Sequence, residues 1–148
     1  MALVIIVLDQ LSKWLMLSVV DIANRPPIEV TPFFNLVMVW NYGVSFGMLS
    51  QPGTNVVYFL IGVAFIMVGV LLFWLWRATD RWVASAIGLI IGGALGNVVD
   101  RFLYGAVADF FDFHVAGYHW PAFNIADSAI FIGVALLLWD GLFRSTST

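Results

Sequence analysis

Four stretches of this chain, about residues 2–20, 56–76, 82–103 and 125–143, are apolar over the length that crosses the hydrocarbon core of a bilayer. They restrict the fold to an all-α membrane bundle, and the whole chain, 1–148, reads as one integral membrane domain. Composition agrees: 10% of residues are charged, where soluble domains carry about 25%. The first stretch contains Asp9 and Lys13 and lacks a basic flank, so it reads as a span and not as a cleaved signal peptide. There is no polybasic run, which argues against nucleic acid as a partner. There is no cysteine, which excludes disulfides, thiolate nucleophiles and thiolate metal sites.

Span two, Val56 to Trp76, carries no ionisable group and reads as scaffold. Four spans put both termini on one side. Arg77, Arg81 and Arg144 fall on that side, and only Arg25 falls opposite, so the termini are expected in the cytoplasm. The segment 21–55 and the loop 104–123 are then expected outside. Trp74, Trp76, Trp82 and Trp139 lie near span ends, where amphipathic rings favour the headgroup layer. In the outer segment, Pro26-Pro27 and Pro32 break helix, and Pro52-Gly53 closes it with a turn. Phe33 to Trp40 is aromatic and β-branched, as a strand requires. Asn41-Tyr42-Gly43 reads as a turn and Val44 to Leu49 as an interfacial piece. Together they predict a small extracytoplasmic subdomain lying on the membrane.

Polar residues at membrane depth are few. Asp9 and Lys13, at i and i+4, share a helix face and form either a structural ion pair or part of a site. Ala84, Gly88, Gly92 and Gly96 make a small-residue stripe for close helix packing. Asn97, Asp100 and Arg101 cluster at the outer end of span three, with Asp100 expected to pair with Arg101. Asn124 and Asp127 have the spacing of a helix cap and its third residue. Asp109 and Asp112 stand in an aromatic stretch read as a loop. Asp100, Asp109 and Asp112 are each candidates to meet Asp127. Two carboxylates held together share a proton, and such a pair hydrolyses peptides. His114 and His119 lie in the same loop and read as structural, with no metal expected. Ser12 and Lys13 are adjacent on a helix and do not face each other, which disfavours a serine–lysine hydrolase. The rival classes are a small transporter or channel subunit and an assembly factor; a transporter needs polar residues on more than one span, and span two has none.

The segments VLDQLSKW, NYGVSFGML, GGALGNVVDR, GAVADF and FNIADSAI, in this order on these spans, closely resemble the bacterial lipoprotein signal peptidases (signal peptidase II). The resemblance covers nearly the whole chain. It implies a four-span aspartic endopeptidase of the inner membrane with a small β-cradle and an interfacial helix over the site. It implies removal of signal peptides from prolipoproteins, just before a cysteine carrying diacylglycerol, without a cofactor. Asp109 and Asp127 fall on the catalytic positions. Asp9, Lys13, Asn41, Gly43, Asn97, Asp100, Arg101, Asn124 and Ala126 fall on the family's other invariant polar or small positions. The implied partners are lipid-modified prolipoproteins and membrane lipids, and a monomer is expected. The family usually has a longer, basic N-terminus, so residues before Met1 are expected. The signal peptide is expected between the spans, near the Gly88–Gly96 face or span one.

Overall fold

The computed structural model describes residues 1–43 and 54–144. The interfacial piece expected at Val44 to Leu49 and the turn at Pro52-Gly53 lie outside the described residues. Among the described residues, four helices are long and apolar enough to cross a membrane. Helix α1, Ala2–Trp14, continues through a π-helical turn at Leu15–Val19. Helix α2 is Thr54–Arg77, α3 is Arg81–Tyr104, and α4 is Ile125–Trp139 followed by a π-helical turn at Asp140–Arg144. These bounds match the expected spans to within a few residues.

Helix α3 is central, and its small residues explain why. A Cβ at Gly92 would stand 2.7 Å from the Ala2 carbonyl oxygen, and one at Gly96 would stand 2.7 Å from Asp9 Oδ2. Glycine here lets α1 lie against α3 at backbone distance. Gly133 does the same for α4, where a Cβ would come within 2.7 Å of the Ala86 carbonyl oxygen. The Gly88–Gly96 face is therefore packed by α1, so a signal peptide near it or span one would lie beside α1 and not directly on these glycines. The α2 side chains Tyr58, Phe59, Ile66, Val70 and Trp76 point outward. Ile87, Ile90 and Ile91 of α3 pack on Val68 and Leu71 of α2.

One end of the bundle carries an antiparallel four-stranded sheet in the order β1-β2-β3-β4. Its strands are β1 Ile28–Thr31, β2 Phe34–Asn41, β3 Val107–Val115 and β4 Tyr118–His119. Strand β2 realises the expected Phe33–Trp40 strand one residue later. Strand β3 corrects the reading of Asp109 and Asp112 as loop residues. Its Val and Phe residues favour extended backbone, and β2 on one side and β4 with Phe123 on the other satisfy its amides. Ala116 and Gly117, with φ of 50° and 82°, form the tight link between β3 and β4. Leu36 pairs with Phe111 but Val39 with Asp109, so β2 carries one extra residue there. The bulge sets Asn41, the last residue of β2, beside the start of β3.

Candidate active site

Three elements converge where α3 ends, β3 begins and α4 starts. The start of α4 is fixed locally. Asn124 Oδ1 accepts from the Asp127 amide at 2.9 Å, and the Asn124 amide donates to Asp127 Oδ2 at 3.3 Å. This is the expected cap, now a complete capping box. Asn124 also reaches out of its helix: its Nδ2 donates to Asp109 Oδ1 at 2.7 Å. One buried asparagine thus holds both aspartates. Asp109 Oδ2 accepts from Asn41 Nδ2 at 3.1 Å, and Asp127 Oδ1 accepts from Asn97 Nδ2 at 2.8 Å.

Asp109 is almost wholly buried. Burial, and next the negative charge of Asp127, push its carboxyl up to about 7, against the pull of the Asn41 and Asn124 hydrogen bonds. A carboxyl of this kind keeps its proton well above the usual carboxylate range, and its neighbour is the reason after burial.

Beneath the pair lies a second layer. Lys13 is buried between Asp9 and Asp100, each with an oxygen at 2.8 Å, and its third contact is Asn97 Oδ1 at 3.2 Å. The expected Asp9–Lys13 pair is therefore real but is one half of a triad. Asp100 does not pair with Arg101, which corrects that expectation. Its side chain turns inward to Lys13 and Gln10 Nε2 and accepts the Ala108 amide at 3.1 Å, tying α3 to the start of β3. Arg101 instead donates to the Gly43 carbonyl at 3.2 Å and the Asn97 carbonyl at 3.4 Å. The Gly43 amide donates to Asn41 Oδ1 at 3.1 Å, so the expected 41–43 turn is closed by the side chain of Asn41. The Ala126 amide donates to Asp9 Oδ1 at 2.9 Å, fastening α4 to α1. Every position that the resemblance singled out thus belongs to one connected network.

Asp112 is elsewhere. It is buried on the opposite face of β3, bonded to Asn35 Nδ2 at 3.3 Å and to His119 Nδ1 at 2.9 Å. His114 and His119, expected in a loop, are cross-strand partners whose rings stack at 4.9 Å. Sequence reasoning missed Gln10 in the network and Asn35 in the separate Asp112 cluster. Gln10, a polar residue at membrane depth beside Asp9, carried a readable signal. Asn35 carried none, because its meeting with Asp112 depends on strand register.

The chain matches the family described as signal peptidase (SPase) II over residues 1–143. It belongs to the signal peptidase II family. It is 46% identical over 137 residues to the lipoprotein signal peptidase of Methylocella silvestris, covering 93% of this chain and 80% of the relative. It is 47% identical over 147 residues to that of Aeromonas hydrophila, covering 98% and 87%. Two solved bacterial membrane enzymes share the fold. One has a TM-score of 0.83 at 34% identity, covering 99% of this chain and 87% of the other. The second has 0.82 at 31%, covering 99% and 91%. The family is one of peptidases.

Proposed function

We propose that this signal peptidase II is an aspartic endopeptidase that removes the signal peptide from diacylglyceryl-modified prolipoproteins, cutting before the lipidated cysteine. The carrying observation is the hold of Asn124 on both carboxylates, with Asp109 biased toward its protonated form. A dyad sharing one proton has a base and an acid at once. The ionised carboxylate takes a proton from water as its oxygen adds to the scissile carbonyl carbon. The protonated carboxyl gives its proton to the carbonyl oxygen. The gem-diol then collapses: the C–N bond breaks, the amine takes the first proton, and the diol returns the second to the dyad. Water is consumed and both carboxylates are restored.

Asn41, Asn97 and Asn124 hold the carboxylates. Lys13, Asp9, Asp100, Gln10 and Ala126 lock the helices that carry them. Arg101 fixes the Gly43 backbone beside the site. We place the site at the outer face of the bacterial inner membrane, with both termini in the cytoplasm, because arginine is concentrated on the terminal side. The enzyme acts as a monomer, with bilayer lipid around the spans. The diacylglycerol anchors the substrate cysteine at the depth where helix ends meet the sheet, which supplies proximity.

The test is direct. Purified protein is incubated with a diacylglyceryl-modified prolipoprotein and with its unlipidated precursor. Cleavage before the modified cysteine, and not of the unlipidated form, is expected. Equal turnover of both would sink the lipid requirement, and no cleavage would sink the function. Reporter fusions after Arg81 are expected to read cytoplasm and those after Tyr118 outside; the reverse would place the carboxylates on the wrong side.

A further inference from the structure

The two carboxylates of the dyad have different surroundings, and the difference originates one layer below them. The Asn97 side chain is buried and its amide has a direction. Its Oδ1 accepts from Lys13 Nζ and from Asn124 Nδ2, each at 3.2 Å, and its Nδ2 donates to Asp127 Oδ1 at 2.8 Å. An ammonium group has donors only, so the atom facing Lys13 must be an acceptor, and the Asn97 NH2 is left for Asp127. Lys13 cannot turn away, since Asp9 and Asp100 hold it from two sides at 2.8 Å. A cation, an amide and a carboxylate therefore stand in series.

Asp127 has further support for negative charge. It is the third residue of α4, where the helix dipole favours an anion, and its Oδ2 accepts from the Asn124 backbone amide at 3.3 Å. Asp109 has less: it stands at no helix start, although the charge of Lys13 also reaches it and favours its ionised form. Its two hydrogen-bond partners, Asn41 and Asn124, are neutral amides, and it lies on a strand.

Building on the dyad reading above, we propose that Lys13, acting through Asn97, is a positioning residue that makes Asp127 the ionised member of the dyad and leaves the shared proton on Asp109. Asp127 is then the base that takes the proton from water, and Asp109 is the acid that protonates the scissile carbonyl oxygen. Burial of Asp109 beside a charged Asp127 agrees with this division. The charged neighbours of Asp127 are Asp109 from β3 and Arg101 from α3, and the layer below holds Asp100 from α3 with Lys13 and Asp9 from α1. Of the cations among them, Lys13 alone is joined to Asp127 through one intervening side chain.

The experiment reads both the proton and the relay. Infrared difference spectra of protein with isotope-labelled aspartate, near pH 6, report protonated carboxyls. The signal is expected to lose one carboxyl in Asp109→Asn; a carboxyl that persists in that variant overturns the assignment. The pH dependence of kcat/KM is then compared for wild type, Lys13→Gln and Asn97→Asp. The second variant keeps Lys13 between its acids while replacing the donor to Asp127 with an acceptor, so it serves where Lys13→Gln fails to fold. The acid limb is expected to move up by about one pH unit, a tenfold change in proton affinity. A purely structural role lowers activity by one factor at every pH, and an unshifted acid limb in Asn97→Asp overturns the relay. The dyad reading is judged separately. If Asp109→Asn and Asp127→Asn are both inactive while the acid limb stays put, the dyad stands and the role of Lys13 falls.

Discussion

Asp109 and Asp112 sit three residues apart on one strand, both buried, in nearly identical aromatic surroundings. Side chains alternate along a strand, so an odd spacing sends them to opposite faces. Asp109 faces the helix ends and meets Asn41, Asn124 and the charge of Asp127. Asp112 faces away and meets Asn35 and His119. Composition around the two residues does not separate them; register does. Burial is common to both; a second carboxylate acting on the first is particular to Asp109.

The largest effect tests that distinction. Asp109→Asn and Asp127→Asn are each expected to abolish cleavage while the protein still folds and inserts. General acid–base groups contribute about 10²–10⁴-fold each, and members of one catalytic unit are non-additive. The double variant is accordingly expected to be no worse than either single one. A folded, active Asp109→Asn enzyme would erase the difference between the two faces.

Next in size is the layer beneath the dyad. Lys13→Ala leaves Asp9 and Asp100 buried without their cation, and breaking a buried pair from one side costs about 3–5 kcal/mol. A lower unfolding temperature in detergent is expected. Unchanged stability with lost cleavage would move Lys13 out of the frame and into the reaction. Asp100→Asn removes one of the two acids and weakens the tie to the Ala108 amide, so a partial loss of both activity and stability is expected.

A pH series sharpens the comparison further. The folded protein holds the Asp109 proton up to about 7, whereas the ordinary value is 3.8. The stability contributed by this group is therefore fully present below pH 3.8 and is lost as pH rises through 7. Thermal midpoints in detergent are expected to fall over this window in wild type, with a flatter dependence in Asp109→Asn. Activity is expected to fall through the same upper range, as the shared proton is lost. Asp112→Asn is expected to leave both trends in place; if it flattens them, the titrating group is on the other face.

The spans were legible because a bilayer leaves few ways to read an apolar run with capped ends. Asn124 and Asp127 could be assigned as a cap from spacing alone, since capping is local. The Asp9–Lys13 pair was legible for the same reason. What escaped local reading was everything fixed by strand register or by one helix meeting another. Asp100 was assigned to its neighbour Arg101 in sequence, while its real cation comes from α1, 87 positions away. Strand β3 was missed because two aspartates within a phenylalanine run resemble a solvated loop until β2 and β4 cover it. The match of the catalytic positions to Asp109 and Asp127 came from resemblance; the spacing of residues left Asp100 and Asp112 open.

The smallest effect concerns Asp112 itself. Its partner His119 is more than half exposed, so a charged pair there is screened by water and contributes little. Replacement by asparagine keeps the shape and an oxygen that accepts from His119 Nδ1. The contact with Asn35 Nδ2 survives in the same way. The expected loss is about 1 kcal/mol of stability, the usual scale of one hydrogen bond. No atom of this cluster bonds to Asn41, Asn97, Asn124 or Asp127, so cleavage per folded protein is expected to stay within a few-fold of wild type. His119→Ala gives a second measure, because it removes the same contact from the β4 side, together with the stack on His114. Matching small losses from Asp112→Asn and His119→Ala would mark the cluster as a fastener of the sheet edge. An inactive Asp112→Asn beside an active His119→Ala would mean that the carboxylate has a task which its hydrogen bonds do not reveal. If Asp109→Asn were then active, the dyad would be wrong by one aspartate.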